Sequence, residues 1–247
     1  MFYQTSDHVL RVKELDAFPW LVHGFGTRNS DGWLDGIPVA SLQQIHSNRS
    51  ILLSNSPQDG AGPGAVGRII NFGEGDALVT AQPGLMVSIR TADCVPVLLV
   101  DARNRAVAAI HAGWRGVADH VVAAPIEQMR VAFSTSVHDL HAAIGPAIGI
   151  CCYEVGVEVQ QRLSPWWPEF LMHSAQDGAR PGAEASQERR KVDLRETIRR
   201  QLRQAGLPDD QVYSSHACTR CEAADFHSFR RDRDAAGRMV SAAGIRA

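Results

Sequence analysis

The stretch that decides the fold is RTADCVPVLLVDARNRAVAAIHAGWRG, residues 90–116. Its apolar runs at 95–100 and 106–110 are separated by the turn-forming DARNR, which is the pattern of an antiparallel hairpin of two buried strands. Cys94 precedes the first run and His111 follows the second. Because paired strands bring their outer ends together, the hairpin predicts a thiol and an imidazole side by side at one sheet edge.

Further strand and helix patterns surround this hairpin. Short apolar runs of strand type occur at 86–90, 138–146 and 211–217. Helical periodicity occurs at 117–133, 155–163 and 193–206. We expect Pro125 to kink or split the first helix, and Asp193 and Gly206 to mark the ends of the last. The order of these patterns predicts a mixed α+β fold.

Composition predicts a soluble globular protein. The chain has 247 residues, of which 45% are hydrophobic and 21% charged, and it contains no long linker, so we expect a single domain over residues 1–247. Because 25 basic residues face 27 acidic ones, nucleic acid is not an expected ligand. No export signal or membrane-length apolar run occurs. We therefore expect a cytoplasmic protein without membrane contact, as a monomer or weak homodimer.

The candidate metal ligands are His46 in SLQQIHSN, Cys94 and His111, each at the edge of an apolar run. Two imidazoles and one thiolate leave the fourth tetrahedral position free for water or substrate, which is the composition of a catalytic zinc site. The pattern predicts zinc, with copper as the weaker alternative.

Four charged residues beside these ligands are candidates for catalysis or substrate binding. Asp93 is adjacent to Cys94, and we expect it to act as a general acid or base or to orient a ligating histidine. Arg28 in HGFGTR, Arg90 in RTADC and Arg115 in HAGWRG suit bidentate contacts to phosphate, and Arg28 and Arg115 are the preferred candidates.

The remaining cysteines carry a less definite pattern. Cys151 and Cys152 are adjacent, and Cys218 and Cys221 form a CxxC. A zinc ribbon needs a second pair at matching spacing, and a thioredoxin-like motif needs a strand before it and a helix after it. Neither context is visible in the sequence, so both interpretations are disfavoured.

Two glycine-containing segments are expected to be plain loops. GPGAVG, at Gly62, Gly64 and Gly67, has the spacing of a dinucleotide-binding turn but lacks the strand before it and the helix after it. The polar segment 173–191 is predicted to be a surface loop.

Four motifs in order, TADCVPVLLVD, AAIHAGWRG, AAIGPAIGICCYEVG and FHSFRRDRDAAGR, resemble the bacterial YfiH/YlmD family, a laccase-domain family once described as polyphenol oxidases. The resemblance implies a purine nucleoside phosphorylase acting on adenosine, inosine, guanosine and methylthioadenosine, with adenosine deaminase activity. It implies zinc held by His46, Cys94 and His111, with a purine nucleoside and phosphate as the small-molecule partners. It also implies a four-layer α/β/β/α sandwich with mixed sheets.

Three alternatives remain open at this stage. A metal-free hydrolase or amidase could use Cys94 and His111 directly, for example in editing cell-wall precursors. A copper-dependent polyphenol oxidase is less consistent with the sequence, because no two of the ten histidines form a His-x-His pair. A zinc-stabilised binding protein would close the site with a fourth ligand, for which Cys218, Cys221 and His227 are the candidates.

Overall fold

The computed structural model describes residues 1–53, 69–167 and 190–247. The GPGAVG turn and residues 173–189 of the predicted surface loop lie outside the described residues. The strands, in chain order, are β1 (Phe2–Gln4), β2 (Val9–Val12), β3 (Leu21–Gly26), β4 (Val39–Gln43), β5 (Ser50–Leu53), β6 (Ile69–Glu74), β7 (Ala77–Thr80), β8 (Met86–Thr91), β9 (Val95–Asp101), β10 (Ala106–Ala112), β11 (Leu140–Ile144), β12 (Glu154–Val155), β13 (Arg190–Lys191), β14 (Val212–Ser214) and β15 (Met239–Ile245). The α-helices are α1 (Trp114–Ala118), α2 (Ala123–Phe133), α3 (Val157–Leu163), α4 (Leu194–Gln204) and α5 (Phe229–Asp232).

Two large mixed sheets dominate the described part of the chain. One has seven strands in the order β1-β2-β3-β15-β8-β4-β6, and the other has six in the order β14-β11-β9-β10-β7-β5. Most neighbours are antiparallel, but β4 runs parallel to β6 and β8, β5 runs parallel to β7, and β11 runs parallel to β14. The predicted mixed α+β class is confirmed.

The hairpin strand β9 is buried on both faces, which explains its unbroken apolar sequence. Val97 and Leu99 pack in a core shared with residues of α1, α2, α3 and α4. Leu98 and Val100 point the other way, into a core shared with the seven-stranded sheet. The six-stranded sheet therefore lies between those helices and the other sheet.

The predicted hairpin forms in the expected register. Ala106 pairs with Asp101 beside the turn, and Ala112 pairs with Val95 at the other end. The Asp101 carboxylate accepts from the backbone N–H groups of Arg103 at 2.9 Å and Asn104 at 2.8 Å, which fixes the turn. This register brings the positions of Cys94 and His111 to the same sheet end.

The predicted helices form with one change in position. The segment 117–133 contains the end of α1 and all of α2, and the break between them lies before Pro125, which occupies the first turn of α2. A proline there loses no intrahelical hydrogen bond, because that N–H has no partner inside the helix. Helix α4 begins as predicted, with the Asp193 side chain accepting from the N–H groups of Arg195 and Glu196. Within the described ranges, none of the helices has the length and apolar character needed to cross a bilayer.

Candidate metal centre

Three side chains converge at the end of the β9–β10 hairpin. His46 comes from the loop between β4 and β5, and its Nε2 lies 4.0 Å from the Cys94 Sγ. The imidazole rings of His46 and His111 meet edge to face, with centroids 4.8 Å apart. One potential ligand atom from each of the three residues lies within 4.8 Å of those of the other two. The structure thus brings together the three residues that the sequence singles out.

A buried carboxylate that sequence reasoning missed organises this group. Asp76, at the start of the segment that enters β7, is fully buried, and its Oδ1 lies 2.7 Å from the His111 Nδ1. The same carboxylate accepts from the backbone N–H of His46 at 3.0 Å and that of Ser47 at 2.6 Å. Asp76 therefore fixes the loop that carries one histidine and the ring orientation of the other.

The ionisation of Asp76 follows from these contacts. Burial acts to raise its pKa, but the hydrogen bonds from His111 and Ser47 outweigh burial and lower the pKa below its usual value. The carboxylate stays charged and holds the His111 Nδ1–H toward itself. Because Nδ1 is engaged by Asp76, Nε2 is the nitrogen of His111 that is directed at the centre.

Cys94 and His111 form a polarised pair. Burial acts to raise the pKa of the Cys94 thiol, but its contacts with His111 and His46 prevail and lower the pKa to about 6. Burial acts to lower the pKa of His111, but the hydrogen bonds with Asp76 and Cys94 raise it to about 9. The local environment thus favours a thiolate, which is the form of cysteine that binds metals and attacks electrophiles.

Gly113 packs against His46 and Cys94 and leaves no room for a side chain of its own. A Cβ on this residue would lie 2.8 Å from the His46 Cδ2 and 3.4 Å from the Cys94 Sγ. Real Cβ atoms do not approach other atoms as closely as 2.8 Å, so any side chain here would displace His46. The glycine of the HAGW sequence therefore has a steric role at the site.

Asp93 lies beside Cys94 but is engaged by residues from another part of the chain. Its carboxylate accepts from the Thr219 hydroxyl at 2.6 Å, the Ser228 hydroxyl at 3.1 Å and the Arg230 backbone N–H at 2.6 Å. The carboxylate that contacts a histidine of the group is that of Asp76. The hydrogen bonds of Asp93 join the Cys94 turn to the C-terminal segment, which favours a positioning role.

A cleft of about 1290 Å³ opens over the three candidate ligand residues. Tyr153 lines it, and burial, followed by the charge of Cys94, raises the pKa of this phenol to about 12, so the phenol stays protonated. The cleft is also lined by four arginines: Arg90, Arg230, Arg233 and Arg238. These cations and the apolar surface of Trp114 and Phe229 suit a ligand with an anionic group and a flat ring.

Of the three arginines singled out in the sequence, Arg90 lines this cleft, whereas the two preferred candidates, Arg28 and Arg115, are not among its lining residues. Arg28 is exposed and donates from Nη1 to the Ala223 carbonyl at 2.7 Å. Arg115 is exposed and its guanidinium stacks over the Trp114 ring, 4.5 Å from the centroid. Arg90 lies in RTADC, four positions before Cys94.

The candidates for a fourth ligand lie elsewhere. Among the described residues, Cys218 and Cys221 group with Cys151 and Cys152 and not with the His46 group. The His227 ring packs against Gly237, where an added Cβ would lie 2.5 Å from its Nε2. The described residues thus leave the three-ligand set open at its fourth position.

Comparison with known proteins identifies the family. The family model of the multi-copper polyphenol oxidoreductase laccases matches residues 33–246. The chain belongs to this family. The predicted resemblance to YfiH/YlmD proteins is confirmed, because the relatives include proteins of those names.

Two curated members of this family are named for purine nucleoside chemistry. The chain is 37% identical over 171 residues to the purine nucleoside phosphorylase YlmD of Geobacillus stearothermophilus, over 69% of this chain and 60% of that protein. It is also 37% identical over 156 residues to an adenosine deaminase from an unknown prokaryotic organism, over 63% of this chain and 56% of that protein. The matched regions thus span less than two thirds of either relative's length.

The fold of the family is shared as well. The crystal structure of YlmD from Geobacillus stearothermophilus superposes with a TM-score of 0.80 at 28% identity, covering 100% of this chain and 99% of that chain. The two mixed sheets described above are therefore the fold of a solved relative.

Proposed function

We propose that the chain is a zinc-dependent purine nucleoside phosphorylase that also deaminates adenosine. The observation that carries the proposal is the open group of His46, Cys94 and His111 at the floor of an arginine-lined cleft. The names of two relatives, a purine nucleoside phosphorylase and an adenosine deaminase, support the substrate class.

The residues present fit zinc. The donor set is two imidazoles and one thiolate, which zinc takes at catalytic sites, and the Asp76 carboxylate leaves the Nε2 of His111 as its donor atom. Zinc bound there would act as a Lewis acid on a water or substrate oxygen held at the fourth position. Copper is the metal in the family's description, but only two histidines belong to this group among the described residues. A trinuclear copper centre needs many more, so the donor set favours zinc.

The other residues of the cleft suit the two substrates of phosphorolysis. In that reaction a phosphate oxygen forms a bond to C1′ of the ribose, the glycosidic bond breaks, and the purine leaves with the bonding electrons. Arg90, Arg230 and Arg238 line the cleft and would neutralise and orient the phosphate. The protonated Tyr153 hydroxyl is available as a hydrogen-bond donor to the departing purine. The acceptors and flat face of a purine match this combination of donors and aromatic surface.

The deciding experiment incubates the zinc-loaded protein with adenosine, with and without phosphate, and separates the products by chromatography. We expect adenine and ribose 1-phosphate only when phosphate is present. Deamination should give a smaller amount of inosine without phosphate, and inosine together with its phosphorolysis product hypoxanthine when phosphate is present. Cys94→Ala should abolish both reactions while circular dichroism and thermal unfolding stay close to those of the unmodified protein. Turnover that is unchanged in Cys94→Ala, or no product from zinc-loaded protein with any purine nucleoside, would refute the assignment.

A second candidate is a metal-free thiol hydrolase. The contacts Cys94–His111–Asp76 have the order nucleophile, base and orienting carboxylate, and the low pKa of Cys94 fits an activated thiolate. Rapid alkylation of Cys94 in metal-free protein together with undiminished turnover after chelation would favour this candidate. Loss of turnover on chelation and its recovery with added zinc would favour the zinc enzyme.

A further inference from the structure

Four cysteines form a second thiol group, which we call the thiol cluster: Cys151, Cys152, Cys218 and Cys221. Their Sγ atoms all lie within 4.8 Å of one another. The Cys221 Sγ is 3.3 Å from that of Cys152 and 3.7 Å from that of Cys151. Four thiolates around one zinc ion, at about 2.3 Å each, stand about 3.8 Å apart. We propose that the thiol cluster binds one structural zinc ion in a closed tetrahedral site.

Backbone contacts hold the two segments of the cluster together. One segment follows β11 and the other follows β14. The Thr219 N–H donates to the Ala147 carbonyl at 3.1 Å, and the Gly149 N–H donates to the Cys218 Sγ at 3.2 Å. An amide donor to a ligating sulfur stabilises its thiolate form. The sulfur atoms are thus brought together by the fold itself.

Gly149 allows the close approach of these segments. A Cβ there would lie 3.2 Å from the Cys151 Sγ and 3.3 Å from the Cys218 Cβ. The turn GICC, which carries Cys151 and Cys152, therefore packs so closely against Cys218 that a side chain at position 149 would have to displace its neighbours.

A buried cation lies next to the thiol cluster. Four thiolates and one divalent cation carry a net charge of −2. Arg195 is buried, donates to the carbonyls of Ser215 at 2.6 Å and Ala217 at 2.8 Å, and places its Nη2 3.3 Å from the same Cβ position on Gly149. Its fixed positive charge would offset part of the negative charge of the site.

The arrangement favours a metal over a disulfide. The Sγ of Cys221 lies 3.3 Å from that of Cys152 and 3.7 Å from that of Cys151, which is close to the edge of a tetrahedral four-thiolate site and well beyond an S–S bond of about 2.05 Å. A bond between Cys151 and Cys152 would close a strained ring of adjacent residues. A single ion satisfies all four sulfur atoms at once.

The proposed ion would stabilise one wall of the cleft. Tyr153 and Glu154 follow directly after the first pair of cysteines, and Phe229 and Arg230 belong to the segment after the second. Thr219, between Cys218 and Cys221, donates to Asp93 beside Cys94. The thiol cluster therefore has a structural connection to the cleft, although the inference does not depend on the reaction catalysed there.

Metal stoichiometry of the full chain tests the proposal. The protein is loaded with zinc under reducing conditions, dialysed against metal-free buffer, and analysed by elemental mass spectrometry. We expect two zinc ions per chain, one in Cys151→Ser/Cys221→Ser and one in His46→Ala. Absorption spectra of Co²⁺-loaded samples identify the site that is lost, since a site of four thiolates gives much stronger thiolate-to-metal absorption than a site with one.

A second measurement, alkylation of the cysteines, uses only the unmodified protein and therefore tests the proposal even if a variant fails to fold. In zinc-loaded unmodified protein the four cysteines should resist alkylation by iodoacetamide, and chelation should make the exposed Cys151 and Cys221 reactive. The proposal is overturned if unmodified protein binds a single zinc that His46→Ala removes. It is also overturned if zinc leaves the alkylation of the four thiols unchanged, or if the purified protein carries a disulfide within the cluster and no second metal.

Discussion

The Oδ1 of Asp76 lies 2.7 Å from the Nδ1 of His111, and its carboxylate also accepts from the backbone of the His46 loop. One buried acid thus positions two of the three candidate ligands. Because a carboxylate behind a ligating imidazole fixes its orientation and raises its basicity, its loss weakens metal binding.

Asp76→Asn should therefore lower zinc affinity by about 10–100-fold. An asparagine amide has only one oxygen that can accept the hydrogen bonds from His111 and the His46 loop. Its NH₂ group would point at N–H groups that are themselves donors. Competition with a chromophoric chelator measures the affinity. Asp101→Asn is the matched control, because Asp101 is also fully buried but lies at the opposite end of the hairpin. Equal zinc affinity in Asp76→Asn and the unmodified protein would contradict the assigned role.

Gly113→Ala should reduce zinc content while leaving the fold in place. The added methyl group would lie 2.8 Å from the His46 Cδ2, so the imidazole must move away from Cys94. Metal analysis and far-ultraviolet circular dichroism check the two parts of this prediction. In Gly156→Ala the new methyl group meets nothing within 4 Å, although Gly156 also lines the cleft. Zinc loss in both variants would show that the effect is not specific to the contact with His46.

Arg90→Ala should raise the KM for phosphate more than Arg28→Ala or Arg115→Ala. Arg90 lines the cleft, and loss of one charge-assisted contact costs about 1.5–3 kcal/mol, or roughly 10–100-fold in kcat/KM for phosphate. Initial rates at varied phosphate with saturating inosine measure the change. Arg103→Ala, in the exposed hairpin turn, is the control. A larger effect of Arg28→Ala or Arg115→Ala would support the sequence-based assignment of the phosphate site.

His23 should make the fold sensitive to acid. Burial is the main cause that lowers the pKa of His23 to about 4, and its Nε2 accepts from the Val12 N–H at 3.0 Å. Between pH 6.5 and 4 the unfolded state binds a proton that the folded state does not, so stability falls as pH falls. This contribution amounts to about 3 kcal/mol over that window.

Denaturant unfolding at several pH values tests this linkage. His23→Gln keeps an acceptor for Val12 but removes the titration, and we expect its free energy of unfolding to fall less between pH 6.5 and 4. His138→Gln, at an exposed position, should follow the unmodified protein. An unchanged pH dependence in His23→Gln would assign the acid sensitivity to other groups.

The central hairpin was predictable because its information is local. Residues 95–100 and 106–110 are apolar, the turn between them is short, and Asp101 accepts from the next residues along the chain. The capping of α4 by Asp193 is equally local. Local hydrogen bonds and side-chain periodicity depend on residues that are close together in the chain, so they can be predicted from the sequence.

The split of the first predicted helix shows where local rules become insufficient. Pro125 indicated a break, but the break falls before it, between α1 and α2. The position is decided by tertiary packing, because Val117, Val121 and Val122 are all buried in the core below the six-stranded sheet.

By itself, the sequence determined that Cys94 and His111 meet, because one short hairpin joins them. It also indicated His46 as the third candidate ligand, because His46 likewise lies at the edge of an apolar run. Only the tertiary structure decided that Asp76 holds both histidines, that Arg90 rather than Arg28 lines the cleft, and that the thiol cluster forms. Those contacts join segments far apart in the chain, such as Cys152 and Cys221. Their pairing depends on how two sheets pack and on which loops this packing brings together, and no periodicity in the sequence encodes it.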